Sequence, residues 1–260
     1  MAGAPPEEYK RAMKRLLFIA GLLAAISACG AQAADITVLS STGLTSTLDQ
    51  LKDSYEARSG DRLLLTYDTV GQLKKRIDDG ATFDLCILTA PMIDDLVKTG
   101  KVTGPRIELA RSGIGVAIRK GAPKPDISTE AAFKQTLLSA RSVAYTATGS
   151  SGSYFAGLID RMGIGDAVRA KAHIIQSGPA AELVARGEAD LAVQQISELL
   201  PVADAELVGP LPAPLQFTTL FSAGVSAGSQ HAARAKALAD FLTSPEAIAV
   251  IRAKGMDPSP

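Results

Sequence analysis

A repeated alternation constrains this chain more than any other feature. Short apolar runs rich in branched side chains are each followed by a few small polar residues and then by an amphipathic stretch. Residues 36–39 precede 44–59, in which Leu44, Leu48, Leu51 and Tyr55 recur at helical spacing. Residues 62–67 precede 71–79, and a further apolar run occupies 83–88. Strands that alternate with helices pair in parallel through crossovers and bury both sheet faces. The expected fold is therefore α/β. After a strand at 114–119, the turn-rich segment 120–126 reads as a hinge, and a second series begins. It runs as helix 129–139, strand 142–145, helix 154–162, strand 172–175, helix 179–186 and strand 190–194. Residues 209–214 (GPLPAP) break the pattern, and 217–225 reads as a strand returning to the first series. Helices 231–242 and 245–254 close the chain, with Ser244 as N-cap and Pro245 at the first helical position. A chain of 260 residues accommodates one large domain or two lobes of about 100 residues each.

The N-terminus has the pattern of an export signal. Lys10, Arg11, Lys14 and Arg15 precede an apolar run at 16–26 and then small residues to Ala34. Two processing readings stand side by side. Ala31-Gln32-Ala33 fits cleavage after residue 33 and release of a soluble chain; Ile26-Ser27-Ala28-Cys29 resembles a lipobox, in which Cys29 would carry lipid and tether the protein to a membrane. Cleavage after Ala33 removes four Lys/Arg and two Asp/Glu, leaving 23 basic against 25 acidic residues. Nothing in that balance points to nucleic acid. Cys86 would then be the only cysteine, within an apolar run where a buried, unreactive thiol is expected.

Four of the loops after strands share one chemistry: Ser40-Ser41-Thr42-Gly43, Asp68-Thr69-Val70-Gly71-Gln72, Thr148-Gly149-Ser150-Ser151-Gly152-Ser153, and Ser177-Gly178-Pro179. Each is small and polar, each leads into a helix, and two come from each series. Singly they are ordinary Ser/Gly turns. Ligands of open α/β sheets bind beyond the carboxyl ends of the strands, so together these loops describe a cleft faced by helix N-termini, which holds an anion without fixed cations.

Familiar enzyme signatures are absent. No G-x-S-x-G, P-loop lysine or dinucleotide fingerprint occurs. His173 and His231 with one mature cysteine cannot build a His/Cys metal cage, so neither a metal nor a cofactor is expected. Asp78-Asp79 and Asp94-Asp95 read as solvated helix residues.

The segments ITVLSSTGLTSTLDQL, LKKRIDDGATFDLCIL, ELVARGEADLAV and DFLTSPEAIAVIRAKGM, with the export signal, resemble the periplasmic molybdate-binding protein family. The similarity runs through residues 35–256 and implies a type 2 solute-binding fold: two lobes, each a mixed, mainly parallel sheet flanked by helices, with ligand in the cleft between them. It implies a discontinuous first lobe (34–118 and 217–260) and a second lobe at 119–216. In that family, serines after the first and second strands bind the oxyanion. Here the first position falls at Gly43, preceded by Ser41 and Thr42, and the second at Val70 or Gly71, beside Thr69. The third loop would contribute Ser150 or Ser151, with Ser153 nearby, and Gly178 a backbone donor. The family's tyrosine is replaced by Gln195, next to Gln194. The QQISELL and VGPLPAPLQ segments resemble a branch of the family that interconverts cis- and trans-aconitate.

The expected function is thus a periplasmic isomerase of a small unsaturated polycarboxylate, working by proton transfer in the interlobe cleft. The alternative is a transport receptor that delivers a molybdate-like oxyanion or a small carboxylate to an ABC permease. Tyr154 and Glu198 are the expected catalytic residues, with Tyr67 and Asp68 near the same cleft. Arg111, before the crossing strand, reads by default as a surface arginine, with a bidentate contact to a carboxylate as the alternative.

Overall fold

The computed structural model describes residues 33–259; the export segment, with Cys29 and the start of its Ala31-Gln32-Ala33 motif, lies outside the described residues. From Asp35 onward, β1 (Asp35–Ser41) lies between β2 (Arg62–Asp68) and β3 (Leu85–Thr89), parallel to both, with Val38 beside Leu65 and Leu85. A 3-10 turn (Thr42–Leu44) leads into α1 (Thr45–Ser59); α2 (Val70–Asp78) and α3 (Ala90–Lys98) follow β2 and β3. The long strand β4 (Val102–Arg119) then joins two parts of one sheet. Between Val102 and Gly113 it pairs antiparallel with β9 (Thr218–Ser226), and from Ile114 it pairs with β7 (Leu191–Gln195) and β8 (Ala205–Pro210).

The second series begins with α4 (Glu130–Ser139), β5 (Val143–Thr146), α5 (Ser150–Arg161), α6 (Gly165–Arg169) and β6 (Ala172–Ile175). It continues with α7 (Ala181–Ala185), β7 and the short α8 (Ile196–Leu199); β5 lies parallel to both β6 and β7. Helices α9 (Ala232–Phe241) and α10 (Pro245–Ala253) and the short β10 (Asp257–Pro258) end the chain. The strand order is β2-β1-β3-β9-β4-β7-β5-β6, with β8 and β10 both on β4. The parallel pairs are those joined by helical crossovers, whereas every pair that contains β4 or β9 is antiparallel.

Two strands depart from the sequence reading for local reasons. β4 begins at Val102, not 114, and takes Gly104-Pro105 into an irregularity within the strand, where the register slips between Thr103 and Ile107. β8 was not expected, and its terminal Pro210 is tolerated because this strand pairs with β4 alone.

Leu85, Cys86, Ile87 and Leu88 of β3 are fully buried, as a strand covered on both faces requires. Leu73, Ile77, Ile93 and Leu96 of α2 and α3 cover one of those faces together with Leu39. Each such Leu or Ile contributes about 1.5–3 kcal/mol by leaving water. Burial pushes the Cys86 thiol up to about 12, so it packs as a small hydrophobe. Under α4 and α5 the core is built on Phe133, Phe155, Tyr145 and Val193. Under α7 it is mostly alanine (Ala117, Ala144, Ala180, Ala181, Ala192), which lets helix and sheet approach closely.

Where β4 exchanges β9 for β7 and β8, the Gln216 side chain takes the place of a paired strand. Its Oε1 accepts from the Ile114 N–H (2.8 Å) and its Nε2 donates to the Ile114 carbonyl (2.9 Å). This fixes β4 at Ile114, the residue that pairs with Gln195 at the end of β7.

Candidate functional site

The carboxyl ends of β1, β2, β6 and β7 point to one region. There a cavity of about 400 Å³ is lined by Thr42, Thr45, Ser46, Asp49 and Tyr67 from the first part of the sheet. Ser177, Gly178, Pro179, Ser197, Glu198 and Pro201 come from the second. A larger cavity of about 660 Å³ lies between Arg119, Arg141 and Leu191, at the opposite ends of β5 and β7. Open α/β sheets hold ligands at the carboxyl ends of their strands, so the smaller cavity is the candidate site.

Glu198 dominates its chemistry. β7 ends at Gln195, which caps α8, and Glu198 stands in the first turn of that helix, only 8% exposed. Its Oε1 accepts from Thr42 Oγ1 at 2.6 Å, across from the other part of the sheet, and from Gln194 Nε2 at 3.0 Å. Its carboxyl also faces the Gln195 backbone N–H, as in the reciprocal half of a capping box. Burial outweighs these three donors and pushes the carboxyl up from 4.5 to about 7. A carboxyl titrating there can both take and return a proton at neutral pH.

The shift has a sign for stability. With the folded group titrating near 7 and the unfolded one near 4.5, the native state binds more protons throughout that interval. Stability contributed by this group is full below 4.5 and is lost as pH rises through 7, by about 3 kcal/mol in total. Glu198→Gln should therefore gain on wild type by that order between pH 4.5 and 8. Urea denaturation of both proteins at the two pH values measures the change, and equal differences at both would contradict it.

Gln194, fully buried, ties the site to its neighbouring loop. Its Oε1 accepts from the Ala180 N–H (2.7 Å) while Nε2 donates to the Gly178 carbonyl (3.0 Å). Gln195 points the other way. With its amide oxygen meeting Thr219 Oγ1 at 2.7 Å, its nitrogen donates to the Ser112 and Gly113 carbonyls at 2.9 and 3.2 Å. Across the cavity, Tyr67 donates to Asp49 Oδ1 at 2.6 Å, and burial, then this hydrogen bond, raises the phenol well above its ordinary value.

The other loops meet one another beside the cavity. Thr69, the N-cap of α2, lies 2.8 Å from Thr148 Oγ1, and the Gly71 backbone approaches the Thr148 carbonyl closely. Ser150 Oγ lies 2.9 Å from Thr219 Oγ1, and Ser151 is buried in the first turn of α5. Ser41 accepts from the Gly43 N–H at 3.4 Å. A Cβ at Gly43 would stand 2.6 Å from Cζ of Phe221, so that aromatic ring occupies the space a serine side chain would need.

Of the residues singled out in the sequence, Thr42, Ser177, Gly178, Pro179 and Glu198, with Tyr67, line the cavity. Ser41, Gly43, Thr69, Gly71, Ser150, Gln194 and Gln195 support or flank it, and Val70 is core. Ser153 is exposed on α5. Tyr154 lies off the cavity: it donates to the Leu215 carbonyl (3.0 Å), stacks on Phe217 at 4.7 Å, and carries the Arg161 guanidinium over its ring. Asp68 receives the Thr69 N–H and Arg76, and Arg111 pairs with Glu108 and Ser259. Asp78, Asp79, Asp94 and Asp95 all pair with lysines or Arg106. Thr45, Ser46 and Asp49 were missed, although their spacing places Thr45 and Asp49 on one face of α1. Thr219 had no sequence signal, since a threonine in a strand is unremarkable by pattern. Among the described residues no three His, Cys, Asp or Glu side chains group as metal ligands would.

Comparison with known proteins agrees with this fold. The chain is 38% identical over 232 residues to an aconitate isomerase from Pseudomonas sp, spanning 86% of this chain and 88% of that protein. It is 24% identical over 248 residues to the molybdate-binding protein ModA of Azotobacter vinelandii, across 91% of this chain and 95% of that one. The structure of the Azotobacter vinelandii periplasmic molybdate-binding protein has the same fold, with a TM-score of 0.70 at 19% identity over 85% of this chain and 98% of that one. The α/β solute-binding fold expected from the sequence is the fold found, with its strands in one ten-stranded sheet. Residues 36–257 match the family model described as bacterial extracellular solute-binding protein, and the chain belongs to that family.

Proposed function

We propose that the protein is a periplasmic isomerase that interconverts cis- and trans-aconitate, with Glu198 carrying the proton. The observation behind this reading is the Glu198 carboxyl itself, buried and titrating near 7, on a cavity wall otherwise rich in hydroxyls. The 38% identity to an aconitate isomerase supports the choice of substrate. In the proposed step, the Glu198 carboxylate takes a proton from the substrate's methylene carbon and that C–H bond breaks. The electron pair spreads over the allylic carbons and the adjoining carboxylates. Glu198 then returns the proton to the former vinyl carbon, and the double bond re-forms on the other side of the central carbon. Thr42 and Gln194 hold the carboxyl in place, while Thr45, Ser177 and Ser197 offer hydroxyls to the substrate carboxylates. Tyr154 belongs to the supporting wall in this scheme.

The cleft is assigned to the meeting of a discontinuous first lobe (34–118 and 217–260) with a second lobe (119–216). Export by the N-terminal segment places the reaction in the periplasm, with lipid at Cys29 the alternative to release near Ala33. Purified protein incubated with trans-aconitate in D2O tests the activity. Cis-aconitate, followed by ultraviolet absorbance and proton NMR, is the expected product; absence of both the cis isomer and deuterium incorporation would overturn the reading. Family membership supports a second reading, a receptor that passes a small anion to an ABC permease. A large thermal shift with molybdate and none with polycarboxylates would favour it.

A further inference from the structure

Among the described residues, the charged groups lining the cavity are Asp49, which is exposed, and Glu198, which is buried, and no lysine, arginine or histidine lines it. α1, which carries Asp49, packs against β2, α10, α8 and the 3-10 turn. Arg62 and Asp68 of β2 pair with Asp35 and Arg76, and Glu246 of α10 pairs with Arg58. Arg252 of α10, and Lys254 beside the Gly255 that rests on Ile196 of α8 and on Leu200, are off the lining. The other elements packed against α8 put no cation on the lining either. β7 and the 3-10 turn carry no ionisable side chain. β4 commits Arg106 to Asp94 and Glu108, Arg111 to Glu108, and Arg119 to the distant cavity. Glu206 of β8 pairs with Lys124. On α1, Lys52 turns to Glu56 and Arg58 to Glu246, while Asp53 is exposed and off the lining. Tyr67, the phenol on the wall among the described residues, donates its proton to Asp49. A fully ionised tricarboxylate would therefore meet hydroxyls on one side and an unneutralised carboxylate on the other. Two like charges 4 Å apart repel by about 4 kcal/mol at the effective dielectric of a protein surface.

We infer that the site takes its polycarboxylate together with one proton, shared between a ligand carboxyl and Asp49, which Tyr67 holds in place. This rests on the polycarboxylate reading above and leaves Glu198 free to act on carbon. Asp49 is thus a specificity-determining residue: it selects the singly protonated ligand and disfavours the fully ionised one. No covalent bond changes; the proton comes from solvent on binding and returns on release.

Titration calorimetry with tricarballylate, the saturated and unreactive tricarboxylate, tests the inference. At pH 8 the binding enthalpies in phosphate and in Tris should differ as uptake of about one proton requires, and Kd should rise about tenfold per pH unit above neutrality. Asp49→Asn should abolish both effects and bind at least as tightly at pH 8, because an amide can donate to the ionised carboxylate. Glu198→Gln should keep the uptake. Binding without proton uptake, or uptake that persists in Asp49→Asn and vanishes in Glu198→Gln, overturns the role of Asp49 alone. No binding of tricarballylate by any of the three proteins overturns the polycarboxylate reading and this inference with it.

Discussion

Glu198→Gln should lower the turnover of trans-aconitate by roughly 10²- to 10⁴-fold, the range that a positioned acid–base group contributes. Tricarballylate should still bind, with Kd changed by less than about threefold, because the amide keeps the size of the side chain and an oxygen for Thr42 to donate to. A fall in kcat with little change in affinity is the signature of a group that acts on the transition state. In wild type the carboxylate is the proton acceptor, so kcat should climb as pH rises through about 7, where Glu198 ionises. The stability measurement described above supplies the control. If the variant gains stability at pH 8 while losing turnover, the buried carboxylate is costly to the fold and useful to the reaction. A variant that retains more than about a tenth of wild-type kcat would remove Glu198 from the mechanism.

Much of the scaffold was legible because it follows from periodicity. The N-terminal series β1-α1-β2-α2-β3, the Ser244-Pro245 helix start and the burial of Cys86 all follow from local chemistry read at the right spacing. What escaped was non-local. Asp49 became a site residue because β2 places Tyr67 opposite α1, a pairing invisible in either segment. Tyr154 looked catalytic from its place beside TGSSGS, but helical rotation turns it toward Phe217 and Leu215, away from the cavity. Gly43 read as an unexplained departure from a serine; the reason lies nearly 180 residues away, in the Phe221 ring. Glu198 could be named from sequence, yet its elevated titration depends on burial against Thr42 and Gln194, which only the assembled fold provides.

The second large effect concerns the TGSSGS loop. Gly152→Ala should destabilise the protein by about 3 kcal/mol and lower Tm by roughly 6–12 °C. A Cβ there would stand 1.7 Å from the Thr146 carbonyl oxygen and 2.7 Å from its carbon. Those are backbone atoms of β5 and cannot rotate aside, so the first turn of α5 must lift off the strand. Phe155, Leu158 and Ile159, all buried, resist that movement farther along the helix. The same close packing explains why α5 begins at Ser150 although the apolar pattern starts only at Tyr154: glycine at 152 lets the first turn rest on the strand end. Lifting that turn would also carry Ser150 away from Thr219, breaking one of the hydroxyl contacts that close the site. Gly157→Ala on the same helix is the matched control. Its Cβ would meet only the flexible end of Arg161, at 3.4 Å, and helix propensity then favours alanine by about 0.5–1 kcal/mol. Thermal denaturation should therefore move in opposite directions for two identical substitutions five residues apart. Equal melting temperatures would mean that α5 is free to slide on β5, and that the loop is held by something other than contact between helix and strand.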